Sequence, residues 1–198
     1  MAEQPFALSP DLSVLLYGDT GHGKSTLIAE LATHLRLHTG KKTAVFLADK
    51  GSSRPYRLLQ KHGVVDIYTP QGNAWLWVNH AMRGEVRTKT NPVVYTSVVT
   101  DEVGLVVHEG LTAYAEILMS ELASMSAQGQ DVGGGGAWNV VIRDEKDILK
   151  LGTSNRAHYG VLQLQIREGV LAIHPNVPHI YTAGVRRGEP AEKTPILG

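Results

Sequence analysis

A glycine-rich segment, Gly18-Asp19-Thr20-Gly21-His22-Gly23-Lys24-Ser25, constrains the fold of this chain more than any other part of the sequence. Its two outer glycines, five positions apart and followed by lysine and serine, match the phosphate-binding pattern called the P-loop. Glycine lets the backbone curl so that successive N–H groups point at phosphate oxygens, and a helix starting here adds its positive end. The pattern therefore predicts a strand, this loop and then a helix.

The residues on either side of the loop have the composition that this prediction requires. Ser13 to Tyr17 is mostly apolar, and we expect it to form a buried strand that runs into the loop. After the loop, apolar residues recur at helical spacing at Leu27, Ile28, Leu31 and Leu35. Gly40 is a suitable end for this helix. The alternative, a glycine turn with no ligand, does not require these flanking elements.

The pattern also assigns roles within the loop. Lys24 is expected to reach the β- and γ-phosphates of a nucleotide, and the Ser25 hydroxyl to ligate Mg²⁺. We interpret His22 as a spacer and not as a base. The predicted nucleotide-binding residues are Gly18, Asp19, Thr20, Gly21, His22, Gly23, Lys24, Ser25 and Thr26.

The overall composition excludes several classes of protein. Lysine plus arginine and aspartate plus glutamate number 19 each in 198 residues, so no global positive charge indicates nucleic-acid binding. The chain has no cysteine, which excludes disulfides, a thiol nucleophile and a cysteine–zinc site. No apolar run reaches membrane-spanning length, and Met1 to Pro5 lacks the features of a signal peptide. We expect a cytoplasmic protein with no membrane partner.

Strand-like and helix-like segments alternate along the chain. After the P-loop helix we expect strands at 43–48 and 64–68, a helix at 74–83, a β-rich region at 93–107, helices from 111 and over 153–173, and a strand at 180–183. This order predicts an α/β fold with a mainly parallel sheet and helices on both faces.

The predicted domain is single and spans residues 1–187, followed by a loose tail at 188–198. Residues 126–136 include four consecutive glycines and are expected to form a mobile loop. The loop is either a flexible connection or a segment that becomes ordered on a partner or on nucleic acid.

A P-loop ATPase also needs an acid at the end of a nearby apolar strand, where it holds Mg²⁺. One candidate is the pair Asp101 and Glu102, which follows Val98-Val99-Thr100. The other is Glu109, which follows Leu105 to His108 and leads directly into a long amphipathic helix. We prefer Glu109 because this strand-to-helix crossover is the one that the site requires. His108 beside it is either a hydrogen-bonding group at the strand end or a packed core histidine.

Three later segments carry a family resemblance. They are Val106 to Thr112, Ser154 to Gly160 with Gln163, and Ile180 to Ala183. Together with the P-loop, they resemble AAA-type, RecA-like NTP-binding proteins of phages and prophages, over about residues 12–187 in the order of elements. The resemblance implies a RecA-like P-loop NTPase core in the cytoplasm of a bacterial host cell.

Carried over by position, the resemblance implies ATP and Mg²⁺ as ligands. Glu109 would be the acid of the metal strand, and Thr182 a polar sensor of the γ-phosphate. Asp49, after the second predicted strand, would activate water, with Lys50 beside it. Glu109 stands where aspartate is commoner, and its extra methylene favours an indirect contact with the metal.

Relatives that form rings or filaments complete their site with a cation from a neighbouring subunit. The resemblance therefore implies a homo-oligomer, for which Arg186 and Arg187 are the best candidates. Read alone, either arginine is a solvated surface residue.

These observations lead to three hypotheses of function. The first is an ATPase that acts on DNA in recombination, annealing, replication or packaging. The second is a nucleotide-gated assembly or binding module with slow hydrolysis and no DNA-dependent turnover. The third, a small-molecule kinase, is disfavoured because residues 126–136 contain no basic residue to serve in a lid.

Overall fold

The computed structural model describes residues 7–48, 50–127, 141–143, 149–151, 164, 166–168 and 176–184. The strands are β1 (Ser13–Gly18), β2 (Lys42–Leu47), β3 (Val65–Tyr68), β4 (Glu85–Arg87), β5 (Tyr95–Ser97), β6 (Val103–Glu109), β7 (Val141–Arg143), β8 (Leu149–Leu151) and β9 (His179–Gly184). The α-helices are α1 (Lys24–Thr39), α2 (Tyr56–Lys61), α3 (Ala74–Met82) and α4 (Leu111–Ala127). A 3₁₀ turn (Lys50–Ser53) precedes α2.

Five strands form a parallel sheet in the order β1-β9-β6-β2-β3. Gly18 lies opposite Gly184, and Leu47 lies opposite Glu109, so the carboxyl ends of these strands meet at one edge of the sheet. Two antiparallel hairpins, β4–β5 and β7–β8, are separate from it. The prediction of an α/β fold with a mainly parallel sheet is confirmed.

Helices cover the sheet on both faces, as expected. On one face, Ile28 and Leu35 of α1 and Tyr56 of α2 pack against Val107 and Ile180. On the other face, α3 and α4 contribute a core that contains Phe46, Trp77, Val78, Tyr114, Leu118 and Tyr181. The rings of Trp77 and Tyr114 meet edge to face with centroids 5.3 Å apart. None of the described helices is both long enough and apolar enough to span a membrane.

The first strand is less buried than its sequence predicts. Leu15 is 55% exposed and Tyr17 is 75% exposed, whereas Val14 and Leu16 pack under α1. The reason is the sheet order, because among the described strands β1 lies at the edge and pairs only with β9, and the described helices cover only one of its faces. Along α1, Leu27 was also expected to face the core, yet it is 55% exposed.

Other predicted segments lie close to their expected positions. Gly40 ends α1 with φ 69°, and its N–H donates to Arg36 O at 3.0 Å. In the predicted β-rich region 93–107, only residues 95–97 and 103–107 are strand, and β6 continues to Glu109. Val98 and Val99 form no strand, which corrects the prediction for them. Of the predicted helix 153–173, residues 164 and 166–168 are described and are helical, and the others lie outside the described residues. Ser126 and Ala127, predicted to begin the mobile loop, instead end α4, which corrects the start of that loop. Residues 128–136 of the predicted loop and the tail 188–198 lie outside the described residues.

Candidate functional site

The glycine loop (residues 18–23) joins the carboxyl end of β1 to the first turn of α1. Gly21 and Gly23 have φ of 88° and 78°, in the left-handed region that glycine adopts without the steric cost of a Cβ atom. A helix leaves its first backbone N–H groups without partners inside the helix. Here these groups belong to Lys24, Ser25 and Thr26, and all three residues line one cavity. The loop therefore presents N–H donors and a helix N-terminus to that cavity.

The side chain of Lys24 lies over the loop. Its Nζ donates to Gly18 O at 2.8 Å and to Asp19 O at 3.0 Å. These contacts hold an ammonium charge at the mouth of the loop, beside the helix N-terminus. Both features attract an anion.

Glu109 is the buried acid of the site. It ends β6, is 2% exposed, and lies on the α1/α2 face of the sheet. Ser25 Oγ donates to its Oε1 at 2.7 Å across 84 positions of sequence. The Tyr56 hydroxyl donates to its Oε2 at 2.7 Å. A buried carboxylate needs such donors because burial removes its hydration.

Tyr56 begins α2 and is fully buried. Burial, followed by the charge of Glu109 and the hydrogen bond to it, raises the pKa of Tyr56 far above its ordinary range. The phenol is therefore a neutral donor at any physiological pH.

Thr182 connects β9 to the junction between β6 and α4. Its Oγ1 accepts a hydrogen bond from Gly110 N at 2.8 Å, which leaves its own O–H available to donate. Gly110 has φ 90°, so the chain turns sharply between Glu109 and α4. Thr112 Oγ1 then donates to Gly184 O at 3.0 Å and fastens the first turn of α4 to β9.

These groups surround one cavity of about 310 Å³ at the carboxyl edge of the sheet. Its lining residues are Thr20, Gly21, Gly23, Lys24, Ser25, Thr26, Gly51, Pro55, Glu109, Gly110, Thr182 and Gly184. The cavity combines backbone donors and an ammonium on one side with a carboxylate and hydroxyls on the other. Parallel α/β sheets bind ligands at this edge.

The two acid candidates lie at opposite ends of β6. Glu109 faces Ser25, whereas Asp101 and Glu102 occupy an exposed turn before the strand begins. A strand of seven residues separates these ends by roughly 20 Å. Asp101 and Glu102 are therefore on the edge of the sheet away from the cavity.

His108 is a packed core histidine on the opposite face from Glu109. Its Nε2 lies 3.3 Å from His179 Nδ1, and its ring stacks on Tyr181 with centroids 4.8 Å apart. Burial, with a smaller contribution from His179, lowers the pKa of His108 to about 3. Of the two interpretations of His108, the structure shows the packed core histidine, and its partner His179 stands at the start of β9 and not at the carboxyl end of the strands.

Other predicted residues cannot be placed. Asp49, Arg186 and Arg187 lie outside the described residues. Conversely, sequence reasoning missed Tyr56, although its position after Pro55 at a helix start is visible in the sequence. No local pattern links Tyr56 to an acid 53 residues later.

The arrangement is suited to holding a polyphosphate together with a divalent cation. Within the described part of the chain, no cluster of three or more histidine, cysteine, aspartate or glutamate side chains could hold a metal by itself. Any cation here would need ligand oxygen atoms as well as Ser25 and Glu109. No protein-family model matches the chain, and among curated proteins there is no significant match.

Proposed function

We propose that this protein is a Mg²⁺-dependent ATPase with a RecA-like P-loop core. The observation that carries the proposal is the 2.7 Å contact between Ser25 of the glycine-rich motif and Glu109 at the end of β6. These are the hydroxyl and the acid that a P-loop site requires together. The parallel sheet and the position of the cavity at its carboxyl edge also support the proposal.

In this proposal, ATP binds with its phosphates in the glycine loop. The N–H groups at the start of α1 donate to phosphate oxygens, and the helix N-terminus favours their charge. Lys24 exchanges the carbonyls of Gly18 and Asp19 for the β- and γ-phosphates. Since its ammonium already lies over the loop, little rearrangement is needed.

Ser25 and Glu109 are the residues that would hold Mg²⁺, because a hydroxyl and a carboxylate are hard oxygen donors of the kind that Mg²⁺ prefers. When bound, Mg²⁺ neutralises charge on the β- and γ-oxygens during phosphoryl transfer. Thr182 lines the same cavity, and its hydroxyl, which accepts from Gly110 N, would serve as the polar sensor of the γ-phosphate. Asp49 is retained as the candidate base that activates water.

The family resemblance adds three further points to the proposal. They are DNA as a partner, a homo-oligomer in which Arg186 or Arg187 acts across subunits, and a location in the cytoplasm of a bacterial host. The support for them is the sequence of the three later segments and not the geometry of the cavity. Recombination, annealing, replication and packaging are the processes that this resemblance favours.

The second candidate is a nucleotide-gated assembly module with slow hydrolysis. A specific observation favours it, since both oxygens of Glu109 accept hydrogen bonds from protein hydroxyls. The carboxylate is therefore engaged and poorly placed to take a proton from water. A small-molecule kinase is supported by no described feature.

The test is phosphate release from Mg·ATP, with and without single- and double-stranded DNA. Lys24→Ala is expected to lower turnover about 100-fold, as does removal of a group that stabilises transition-state charge. Glu109→Gln should lower turnover while ATP binding persists. A severalfold rise with DNA supports the DNA-directed ATPase, whereas binding with turnover near zero favours the assembly module. Equal phosphate release by the wild type and Lys24→Ala would contradict the ATPase proposal.

A further inference from the structure

One buried hydroxyl in the site has no part in the proposed ATPase chemistry. Tyr56 comes from α2, not from the glycine loop, and its hydroxyl takes one oxygen of Glu109 while Ser25 takes the other. The carboxylate is thus held at both ends, between α1 and α2. Both side chains of the tyrosine–acid pair are almost completely buried, so water does not compete for this contact.

The length of the acid matches this double contact. An aspartate at position 109 would draw the carboxylate back by about 1.5 Å, the length of one C–C bond. Hydrogen bonds between oxygen atoms weaken beyond about 3.0 Å, so two contacts of 2.7 Å could not both survive that withdrawal. Tyr56 therefore accounts for glutamate at a position where the family resemblance predicts aspartate.

We propose that Tyr56 is a positioning residue that orients Glu109 so that its carboxylate and the Ser25 hydroxyl form one ligand set for a divalent cation. The inference rests on the proposed function and adds a residue to it. Without the tyrosyl hydroxyl, Oε2 is left buried with no donor from the described part of the chain, and the carboxylate turns away from its alignment with Ser25. Groups that orient metal ligands in this way commonly change metal affinity by 10- to 100-fold.

The experiment measures ATP affinity by calorimetry, in EDTA and in Mg²⁺. The ratio of the two Kd values is the Mg²⁺-dependent gain, and it does not depend on turnover. Tyr56→Phe is expected to lower this gain about 10-fold while the affinity in EDTA stays the same. The matched control is Tyr114→Phe, which removes a buried tyrosyl hydroxyl that donates to Phe46 O on the other face of the sheet. Its gain should equal that of the wild type.

A second variant tests the same claim if Tyr56→Phe does not fold. Glu109→Asp keeps the charge but cannot reach both hydroxyls, so its gain should fall as far as that of Tyr56→Phe. If both single variants fold, the Mg²⁺-dependent gain of the double variant should be no smaller than that of either single variant, because both substitutions remove the same alignment. If the Mg²⁺-dependent gain of Glu109→Asp equals that of the wild type, the inference is overturned.

Two further outcomes would overturn it. If the Mg²⁺-dependent gain of Tyr56→Phe equals that of the wild type, Tyr56 does not position Glu109. If Tyr56→Phe loses ATP affinity equally in EDTA and in Mg²⁺, the role of Tyr56 is merely structural. If the wild type binds no ATP under either condition, the proposed function fails, and the inference fails with it. Binding by the wild type together with a normal gain in Tyr56→Phe defeats the inference alone.

Discussion

Buried polar side chains on the two faces of the sheet are stabilised in different ways. Glu109 receives two hydroxyl donors, which compensate a charge removed from water. His108, one position earlier on β6, lies among the rings of Phe46, Tyr181 and His179 and carries no charge. Its Nδ1 has no hydrogen-bond partner among the described residues. Neighbouring residues of one strand are therefore buried in different ways, Glu109 with hydroxyl donors and His108 among aromatic rings.

The histidine makes stability depend on pH. Its pKa is about 3 in the folded state and near 6.5 when unfolded. Above pH 6.5 neither state binds the proton. As pH falls below 6.5, only the unfolded state does, so the free energy of unfolding drops by roughly 1.4 kcal/mol per pH unit. This slope is reached only well below pH 6.5, so between pH 7.5 and 5.5 we expect the free energy of unfolding in urea to fall by about 1.4 kcal/mol in total, and His108→Leu to lessen the fall.

His34 on the exposed side of α1 supplies the control for this measurement. His34→Gln should leave the slope of the wild type unchanged. A slope in His108→Leu as steep as in the wild type would show that other groups cause the acid sensitivity.

At the scale of the element, α1 has a left-handed glycine at each end. Gly23 precedes it with φ 78°, and Gly40 follows it with φ 69°. A Cβ atom added at either position would meet nothing within 4 Å, so the cost of a side chain there comes from backbone strain alone. The two glycines differ in their position relative to the cavity, because Gly23 lines it and Gly40 does not.

This symmetry gives a matched pair of variants. Gly23→Ala and Gly40→Ala should each destabilise the fold by about 1 kcal/mol, the strain of a left-handed alanine. Only Gly23→Ala should weaken ATP binding, because it alone distorts the N–H groups that would face phosphate. Thermal unfolding and calorimetric titration measure the two effects separately. Equal ATP affinity in both variants would contradict the role of the glycine loop.

Local patterns predicted most elements because apolar runs and helical periodicity can be recognised within a continuous segment of sequence. The apolar runs of β2, β3 and β9 and the helical spacing of α1 are of this kind. The exposure of Leu15 and Tyr17 was missed because it depends on the edge position of β1, which no local pattern encodes. Hairpin β4–β5 has strands of three residues, too short for a period to emerge.

The candidate site was predictable to the same extent. The glycine loop is contiguous, and Glu109 was preferred because a helix follows it directly. The contact of Tyr56 with Glu109 joins two separate elements and could be seen only once the fold was known. The placement of Glu109 beside Ser25 is therefore a finding, while the catalytic roles of both residues stay predictions.

At the scale of the whole molecule, the cavity draws its lining from distant parts of the chain. The glycine loop, the start of α2, the β6–α4 junction and the end of β9 all contribute to it. A ligand bound there contacts four separate elements, each of which must be in place for the cavity to exist. Binding and global folding are therefore linked.

This linkage predicts that Mg·ATP stabilises the protein against heat. At 100 times the Kd, the added free energy of unfolding is about 2.7 kcal/mol. The measurement is the Tm with and without Mg·ATP, and Lys24→Ala should abolish the shift. A Tm that rises equally in the variant would mean that ATP binds elsewhere.

The sheet order also has a consequence for the synthesis of the chain. Strand β1 is made long before its partner, because Ser13 pairs with His179, and β9 is the neighbour that joins β1 to β6. At 5–20 residues per second, a ribosome needs roughly 8–33 s to make the intervening segment. Throughout that interval the hydrogen-bonding edge of β1 is open to other nascent chains. The two pairings that β9 makes, with β1 and with β6, can form only after this interval.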